Sequence, residues 1–530
     1  MSFLSQAKTK RLLSVHGWSG TVLGLLLYVC IFTGAIVVFA DEIAVWSQGT
    51  TVSEEGLPSQ VDRHFRAAAR TVDPTHYEEV QIFRTGTGAL AYRFHSHGTD
   101  AEGGLVEQGV HMEVDAQTGE VFKRHEGDVR TFPHTPSRAL RDFWVNVHVQ
   151  LHLPNPLGLA LVGVLGLAMM AAAISGIFIH GHIFRDAFVA TRDRARLVGA
   201  RDLHVLAGSW GLPFAIILAF TGAFFGFALS LGVPVMALSV FGGDQAALVE
   251  TLIGVPASPD LTAASLASLD YILADARNRA GGDVLSVLIQ HYGTAGAQVR
   301  VFVGPAQGAL SGTVLEFAGV TRAFEGVRPF FGTEPSAGAS LFALMRPLHF
   351  GDFAGFGSRL VWFGMGLAMA FVTASGMLLW TQRRADTPGW THFRHWTVVT
   401  IWGLPLAMLA SAVAFFATLP AGDPTWWTPA GFLIGAAGAI ALGARYDTAS
   451  ARLRLANAAL CLSLPVLRHL TGGASWSEAL IAGAWTILVV DLLLMLLGLV
   501  LLRQRARTEL SPSETSRPDN RAGAAQEPAE

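Results

Sequence analysis

HGWSGTVLGLLLYVCIFTG (residues 16–34) and HVLAGSWGLPFAIILAFTG (residues 204–222) decide the fold. Each is an apolar segment of helical length that opens on a histidine, His16 or His204. Each places a glycine four residues later, Gly20 or Gly208, and closes on Thr33-Gly34 or Thr221-Gly222. An ionisable ring is costly in a membrane helix, and its recurrence at one place in two segments suggests paired ligands within a duplicated core. About 20 helical residues cross the roughly 30 Å hydrocarbon layer, so the histidines are expected near one face and the Thr-Gly pairs near the other.

Outward from these stretches, the composition agrees. The 530-residue chain is 51% hydrophobic and 15% charged, with mean hydropathy +0.42, too apolar for a soluble protein of this size. Apolar runs lie near 21–40, 157–179, 205–231, 360–380, 398–419, 430–444, 455–467 and 480–502. They predict eight spans, or seven because the sixth and seventh runs are short. Lys8, Lys10 and Arg11 precede the first run, which reads as an uncleaved signal anchor with a cytoplasmic N-terminus. Arginines follow the second, fourth, sixth and eighth runs: Arg185, Arg192, Arg194, Arg196 and Arg201, then Arg383, Arg384 and Arg394, then Arg445, Arg452 and Arg454, then Arg503, Arg505 and Arg507. By the positive-inside rule both long loops face the opposite side.

The net charge of −3 identifies no partner, and the sequence has neither a mononucleotide P-loop nor a dinucleotide fingerprint. Cys30 and Cys461 both sit in apolar runs and read as packing residues. In the second helix of each half, Ile174-Ser175-Gly176 answers Ala374-Ser375-Gly376, so the halves run parallel about an axis along the membrane normal. The expected architecture is mainly α and polytopic: a duplicated four-helix core, two extracytoplasmic α+β modules and about four extra C-terminal helices. The divisions fall at 1–40, 41–147, 148–231, 232–348, 349–384, 385–502 and 503–530, the last a polar tail read as disordered. In the first loop a helix is expected over 59–72 and strands over 77–84, 89–94 and 111–114, with a hairpin at 114–122 turning on Gly119. The second loop repeats the order, with a helix over 263–280 and strands over 284–290, 298–303 and 312–316.

His16-Gly17-Trp18 leading to Thr33-Gly34, Leu203-His204 leading to Thr221-Gly222, Leu348-His349-Phe350-Gly351 and the hairpin at 115–122 together resemble the PepSY-associated transmembrane family. That group includes PiuB-type iron-regulated membrane proteins and inner-membrane ferric-siderophore reductases. The likeness covers about residues 10–384. It implies PepSY-like periplasmic modules and a four-helix core with b-type haem that passes electrons to ferric chelates.

The 18 histidines sort by membrane depth independently of the family. His16 and His204 fall at the cytoplasmic ends of their helices; His148, His152 and His349 fall on the outer side. Two neutral imidazoles on opposed helices satisfy a six-coordinate haem. The expected pairs are therefore His16 with His204 and His148 with His349, all four as ligands to haem iron, for two haems. Val147-His148 matches Leu348-His349 and favours His148, while His152 lies one turn away as the alternative. Gly20 and Gly208 either admit a flat macrocycle or serve helix packing. Arg346 and Arg359 are placed to hold propionates.

His180, His182, His392 and His395 read as interface residues. Seven histidines, His64, His76, His95, His97, His111, His125 and His134, are scattered through the first loop, and His95-x-His97 on a strand would turn two rings to one face. Phe143, Trp144, Phe330 and Phe331 lie near the outer mouth. Asp491, deep in the last run, is expected to find a polar partner or stay protonated. The function expected is reduction of ferric siderophore or another ferric chelate in the periplasm, in the inner membrane, fed by a quinol or a cytoplasmic reductase. The alternatives are an iron or siderophore transporter and a PepSY-type regulator without catalysis.

Overall fold

The computed structural model describes residues 5–48, 56–85, 88–99, 105–129, 132, 136–180, 196–244, 247–248, 259–310, 312–329, 336–384 and 386–510. The expectations placed on His134, His182, Arg185, Arg192, Arg194, Phe330, Phe331 and 511–530 lie outside them.

The first half opens with α1 (Gln6–Val22) and α2 (Gly24–Val37), followed by α3 (Ala40–Gln48). A single span was expected here. Instead the chain bends by 68° at Leu23. At the bend Gly24 lies against Met377, so close that a Cβ on it would be 2.6 Å from the sulfur. The bend lets α1 pack on α6 (Leu157–Ile179) while α2 packs on α11 (Gly355–Gln382). The second half uses α7 (Arg196–Phe227), which runs unbroken through Pro213. It packs against both α6 and α11 and closes the four-helix core, and the short α8 (Val233–Phe241) follows it.

Each core helix that follows the extramembrane region is preceded by a short one: α5 (Ala139–Gln150) before α6, and α10 (Ala337–Phe350) before α11. Both stop on a left-handed residue, Leu151 at φ 54° and Gly351 at φ 70°, which turns the chain into the next helix. A Cβ at Gly351 would lie 2.5 Å from the Trp362 ring, so this corner requires glycine.

The C-terminal part is α12 (Pro388–Thr418), α13 (Pro424–Gly443), α14 (Ala449–Leu470), α15 (Trp476–Ile481) and α16 (Trp485–Leu510). Among the described residues six helices are long and apolar enough to cross a membrane, or seven with the bent pair counted as one span. The chain is therefore a multi-pass membrane protein, and the described residues carry six or seven of the eight expected spans, the lower expectation being seven. The expected run near 455–467 falls in α14, whose 22 residues include Arg452, Arg454 and Arg468 and are less apolar than the other long helices. Arg468 is 1% exposed and meets Asp491 at 2.8 Å. The Asp491 carboxylate also accepts from the indoles of Trp46 at 2.8 Å and Trp476 at 2.9 Å. The polar partner expected for Asp491 is thus a guanidinium from α14 and two indole N–H groups, one of them on α3 of the first half.

The two loops form a single body. β1 (Glu79–Arg84), β2 (Leu90–Thr99), β3 (Leu105–Val114) and β4 (Val121–Asp128) come from the first, and β5 (Val284–Gln290), β6 (Gln298–Val303), β7 (Thr313–Ala318) and β8 (Phe324–Arg328) from the second. They join in one antiparallel sheet, β4-β3-β2-β1-β5-β6-β7-β8, through the β1–β5 pair with Ile82 opposite Val287. The separate modules expected from sequence are its halves. Alternation sends Val80, Ile82, Tyr92, Phe94, Val287, Ile289, Val299 and Phe317 to one face. There α4 (Asp62–Ala69) and α9 (Leu269–Ala280) cover them with Phe65, Ile272 and Leu273.

The two helices cap each other. Asp270 accepts from the backbone N–H of Val61 and Asp62, and Asp62 accepts from that of Leu269, at 2.7, 3.0 and 3.0 Å. Each satisfies orphan amides at the start of the other helix. The predicted hairpin is present, with Gly119 at φ 77° and Asp115 accepting from the N–H groups of Gln117 and Thr118.

Candidate functional site

His16 on α1 and His204 on α7 meet across the core with ring centres 6.5 Å apart and planes at 85°. His148 on α5 and His349 on α10 meet with centres 6.1 Å apart and planes at 23°. Two imidazoles bound through nitrogen on opposite sides of one metal ion, at about 2 Å each, put their ring centres roughly 6 Å apart. The pairs occupy opposite ends of the core. His204 and Thr221, the latter in contact with His349, are 17 residues apart on one helix, about 26 Å.

The hydrogen bonds fix the tautomers. His16 Nδ1 lies 2.9 Å from the carbonyl of Ala172 and 3.2 Å from Ser175 Oγ. His204 Nδ1 lies 3.0 Å from Ser375 Oγ. Ser175 Oγ donates to the carbonyls of Ala171 and Ala172, and Ser375 Oγ to that of Val372. Each serine hydrogen is thereby used within its own helix, so each oxygen accepts and Nδ1 donates. At the other end His148 Nδ1 donates to the carbonyl of Cys30 at 2.9 Å. His349 Nδ1 donates to Thr221 Oγ1 at 2.9 Å, because that hydroxyl donates to Ile217. All four rings therefore carry their proton on Nδ1 and leave the lone pair on Nε2. Among the described residues no Nε2 of the four has a hydrogen-bond partner. This is the tautomer a metal-ligating histidine needs, with its second nitrogen anchored.

The same motifs make room for the rings. A Cβ on Gly176 or Gly376 would lie 3.5 or 3.1 Å from Cε1 of His16 or His204. One on Gly34 or Gly222 would lie 2.7 or 3.5 Å from Cε1 of His148 or His349. Each ring rests on the glycine of a Ser-Gly or Thr-Gly pair. The sequence displayed these pairs as a repeat, but which histidine each one seats depends on helices far apart in the chain.

Of the two alternatives before α6, His148 faces His349. His152 is exposed at φ 55°, with Nδ1 against Asn146 Oδ1 at 2.9 Å. A Cβ on Gly20 would meet nothing within 4 Å, and one on Gly208 only Val372 at 3.9 Å. Helix packing does not account for either glycine, and the space over them is open. Arg359 is held by Glu42 at 2.6 and 3.0 Å in a two-point ion pair. Arg346 pairs with Asp352 at 2.8 Å and is 62% exposed. Neither guanidinium is brought into contact with the four rings.

His395 stacks on Tyr446 at 3.8 Å, and His392 bonds the carbonyl of Pro388. Phe143 packs on Phe432, and Trp144 donates to Ser411 on α12 at 2.9 Å, so these aromatics tie α5 to the C-terminal helices. On β2, His95 and His97 do share a face, beside Glu79 and Glu78. Among the described residues no group of three or more His, Cys, Asp or Glu side chains is arranged to hold a bare metal ion.

Comparison with known proteins places these features in a family. The family model described as the PepSY-associated TM region matches residues 13–383. The uncharacterized protein PA4219 of Pseudomonas aeruginosa is 31% identical over 260 residues, 47% of this chain and 64% of that protein's length.

Proposed function

This chain belongs to the PepSY-associated TM family, and from that premise we propose that it is an inner-membrane electron carrier with two b-type haems that reduces ferric chelates, siderophores among them, in the periplasm. The reading rests on one observation: two imidazole pairs at opposite ends of one core, every Nδ1 anchored and every Nε2 free, with centres 6.5 and 6.1 Å apart. The residues that would hold the group are His16 with His204, and His148 with His349. Haem held by these residues would supply a one-electron ferric–ferrous couple.

The protein's own part is positional. Ser175, Ala172 and Ser375 fix one pair of rings; Cys30 and Thr221 fix the other, through contacts that also keep the ligating nitrogen unprotonated. The glycine seats let the rings approach the helices, and the open space over Gly20 and Gly208 leaves room for a flat ring system. The clusters of Lys8, Lys10 and Arg11 and of Arg383, Arg384 and Arg394 favour a cytoplasmic N-terminus, with the sheet in the periplasm. With haem bound, an electron from a quinol or cytoplasmic donor would leave at the His148–His349 end and reduce a ferric chelate to its ferrous form. The ferrous ion's lower charge density weakens hard-oxygen coordination and lets iron exchange.

A transport path would draw on intramembrane polar groups, yet the Asp491 carboxylate is consumed by Arg468, Trp46 and Trp476. The test is a reduced-minus-oxidised spectrum with haem quantification on purified protein. Two haems per chain, one lost in His16→Ala and one in His349→Ala, are expected. Protein free of haem, or spectra unchanged in both variants, would overturn the reading.

A further inference from the structure

The two halves of the sheet are related by the β1–β5 pair, and one cross-strand row runs through both on the face away from α4 and α9. Its order is His125, His111, Arg93, Gln81, Leu288, Arg300, Glu316, Gly326. Read from the centre outward, each half places an arginine second. In the second half the third position is Glu316, which binds Arg300 at 3.0 Å and Arg328 at 2.9 Å. In the first half that position is His111, so the matching arginine has no acid opposite it in the row.

The consequences are visible in the polar atoms. Arg93 is half-buried, and its Nε is buried with no hydrogen-bond partner among the described residues. His111 Nδ1 and His125 Nε2, its successive neighbours in the row, are likewise buried and without partners. So is Nδ1 of His95, the next residue on that face of β2. His111 is 9% and His95 4% exposed. Buried polar groups are almost always paired, and a half-buried guanidinium without an acid is costlier still. Burial pushes the Arg93 guanidinium down, and the field of Glu107 opposes that only in part. The acids on this face lie against other groups: Glu113 against Lys123 at 2.9 Å and His111 Nε2 at 3.7 Å, Glu79 against Gln81 and His95 Nε2, Glu78 against His97, and Glu107, whose field reaches Arg93, 3.8 Å from His97 Nε2. Phe83 lies beneath Arg93 and beside His111, a flat apolar floor to the site.

We propose that the face of the first half-sheet away from α4 and α9 is a binding site for a small polycarboxylate anion, with the Arg93 guanidinium taking one carboxylate in a two-point grip and His111 and His125 bordering it. Arginine's planar fork matches a carboxylate, and a buried site strengthens the contact. The second half cannot bind such an anion, because Glu316 already fills that role. The site is separate from the histidine pairs. It deepens the function proposed above by naming the ligand class, an anionic, carboxylate-bearing molecule, free or as its ferric complex. The His111 ring also lies tilted against Phe132, a residue that precedes α5 in the chain.

The experiment is calorimetric titration of citrate into the full-length protein in detergent, with the haem spectrum recorded on the same samples. Wild type is expected to bind, and Arg93→Gln to bind at least tenfold more weakly. His111→Glu supplies the acid found in the second half and should weaken binding as strongly; it also removes the His111 contact to Glu113, so circular dichroism of both variants at neutral pH, expected to match wild type, separates loss of the site from loss of fold. Arg328→Gln, confined to the other half, should bind as wild type does. No citrate binding by wild type, or equal binding by Arg93→Gln and His111→Glu, overturns the site. Citrate binding that depends on Arg93 in protein devoid of haem would keep this site and sink the membrane redox reading instead.

Discussion

Gly34→Ala offers a graded test of the outer histidine pair, with Gly222→Ala as its internal control. The new methyl at position 34 would stand 2.7 Å from Cε1, 3.0 Å from Nδ1 and 3.4 Å from Nε2 of His148. Carbon atoms rest at about 3.5–4.0 Å, so the ring must retreat by roughly 1 Å. Such a shift carries Nδ1 from its 2.9 Å bond with Cys30 to beyond hydrogen-bond range. It also moves Nε2 several times further than the ±0.2 Å or so that a metal–ligand bond tolerates. Overpacking of this kind costs about 1–3 kcal/mol, or one to two decades in ligand affinity. At position 222 the corresponding contact to His349 is 3.5 Å, ordinary packing. Both substitutions gain the same helix propensity, up to about 1 kcal/mol, so the comparison cancels it. Haem per chain at limiting haem, read from the pyridine haemochrome, should fall by about half in Gly34→Ala and stay at the wild-type value in Gly222→Ala. Equal haem content in the two variants would refute the seat that Gly34 is argued to provide.

His152→Ala should leave the haem spectrum as it is in wild type, whereas His148→Ala should remove one haem; a spectral change in the first and none in the second would reverse the assignment of the ligand. Arg468→Met strands the Asp491 carboxylate with two indole donors, a loss on the order of 3–5 kcal/mol, and Arg468→Met with Asp491→Leu should recover most of it. Thermal midpoints in detergent decide the matter, and a drop equivalent to less than about 0.5 kcal/mol in the single variant would mean the pair is not buried in solution. His111 and Lys123 hold the Glu113 carboxyl down to about 2, well below its ordinary 4.5. The stability this gives the sheet is complete above the unfolded value and is lost as pH falls through 2. Lys123→Met should therefore raise the pH of acid unfolding followed by circular dichroism, and an unchanged acid midpoint would argue against that ion pair.

The membrane class, the duplicated core and most of the strands were legible in the sequence because hydropathy and side-chain period are local. The strands Val284–Gln290 and Gln298–Val303 fall where alternation places them, and the repeated His, Thr-Gly and Ser-Gly spacings mark both ends of the core. The choice of His148 over His152 followed only from matching Val147-His148 with Leu348-His349. In the fold, the left-handed turn at Leu151 and His152 leaves the second ring exposed, away from His349.

Tertiary structure alone decided the rest. The bend at Leu23 answers to Met377, the Arg359 guanidinium is consumed by Glu42, and Asp491 finds Arg468 and Trp46. These partners stand tens to hundreds of residues apart, and no local period encodes them. The fusion of the loops is of the same kind. Each half carries its own alternation, but edge strands β1 and β5 expose unpaired backbone groups that alternation does not address to any particular neighbour. Joining them satisfies both edges at once, and only that junction brings Arg93 and Arg300 into one row where the missing acid can be seen.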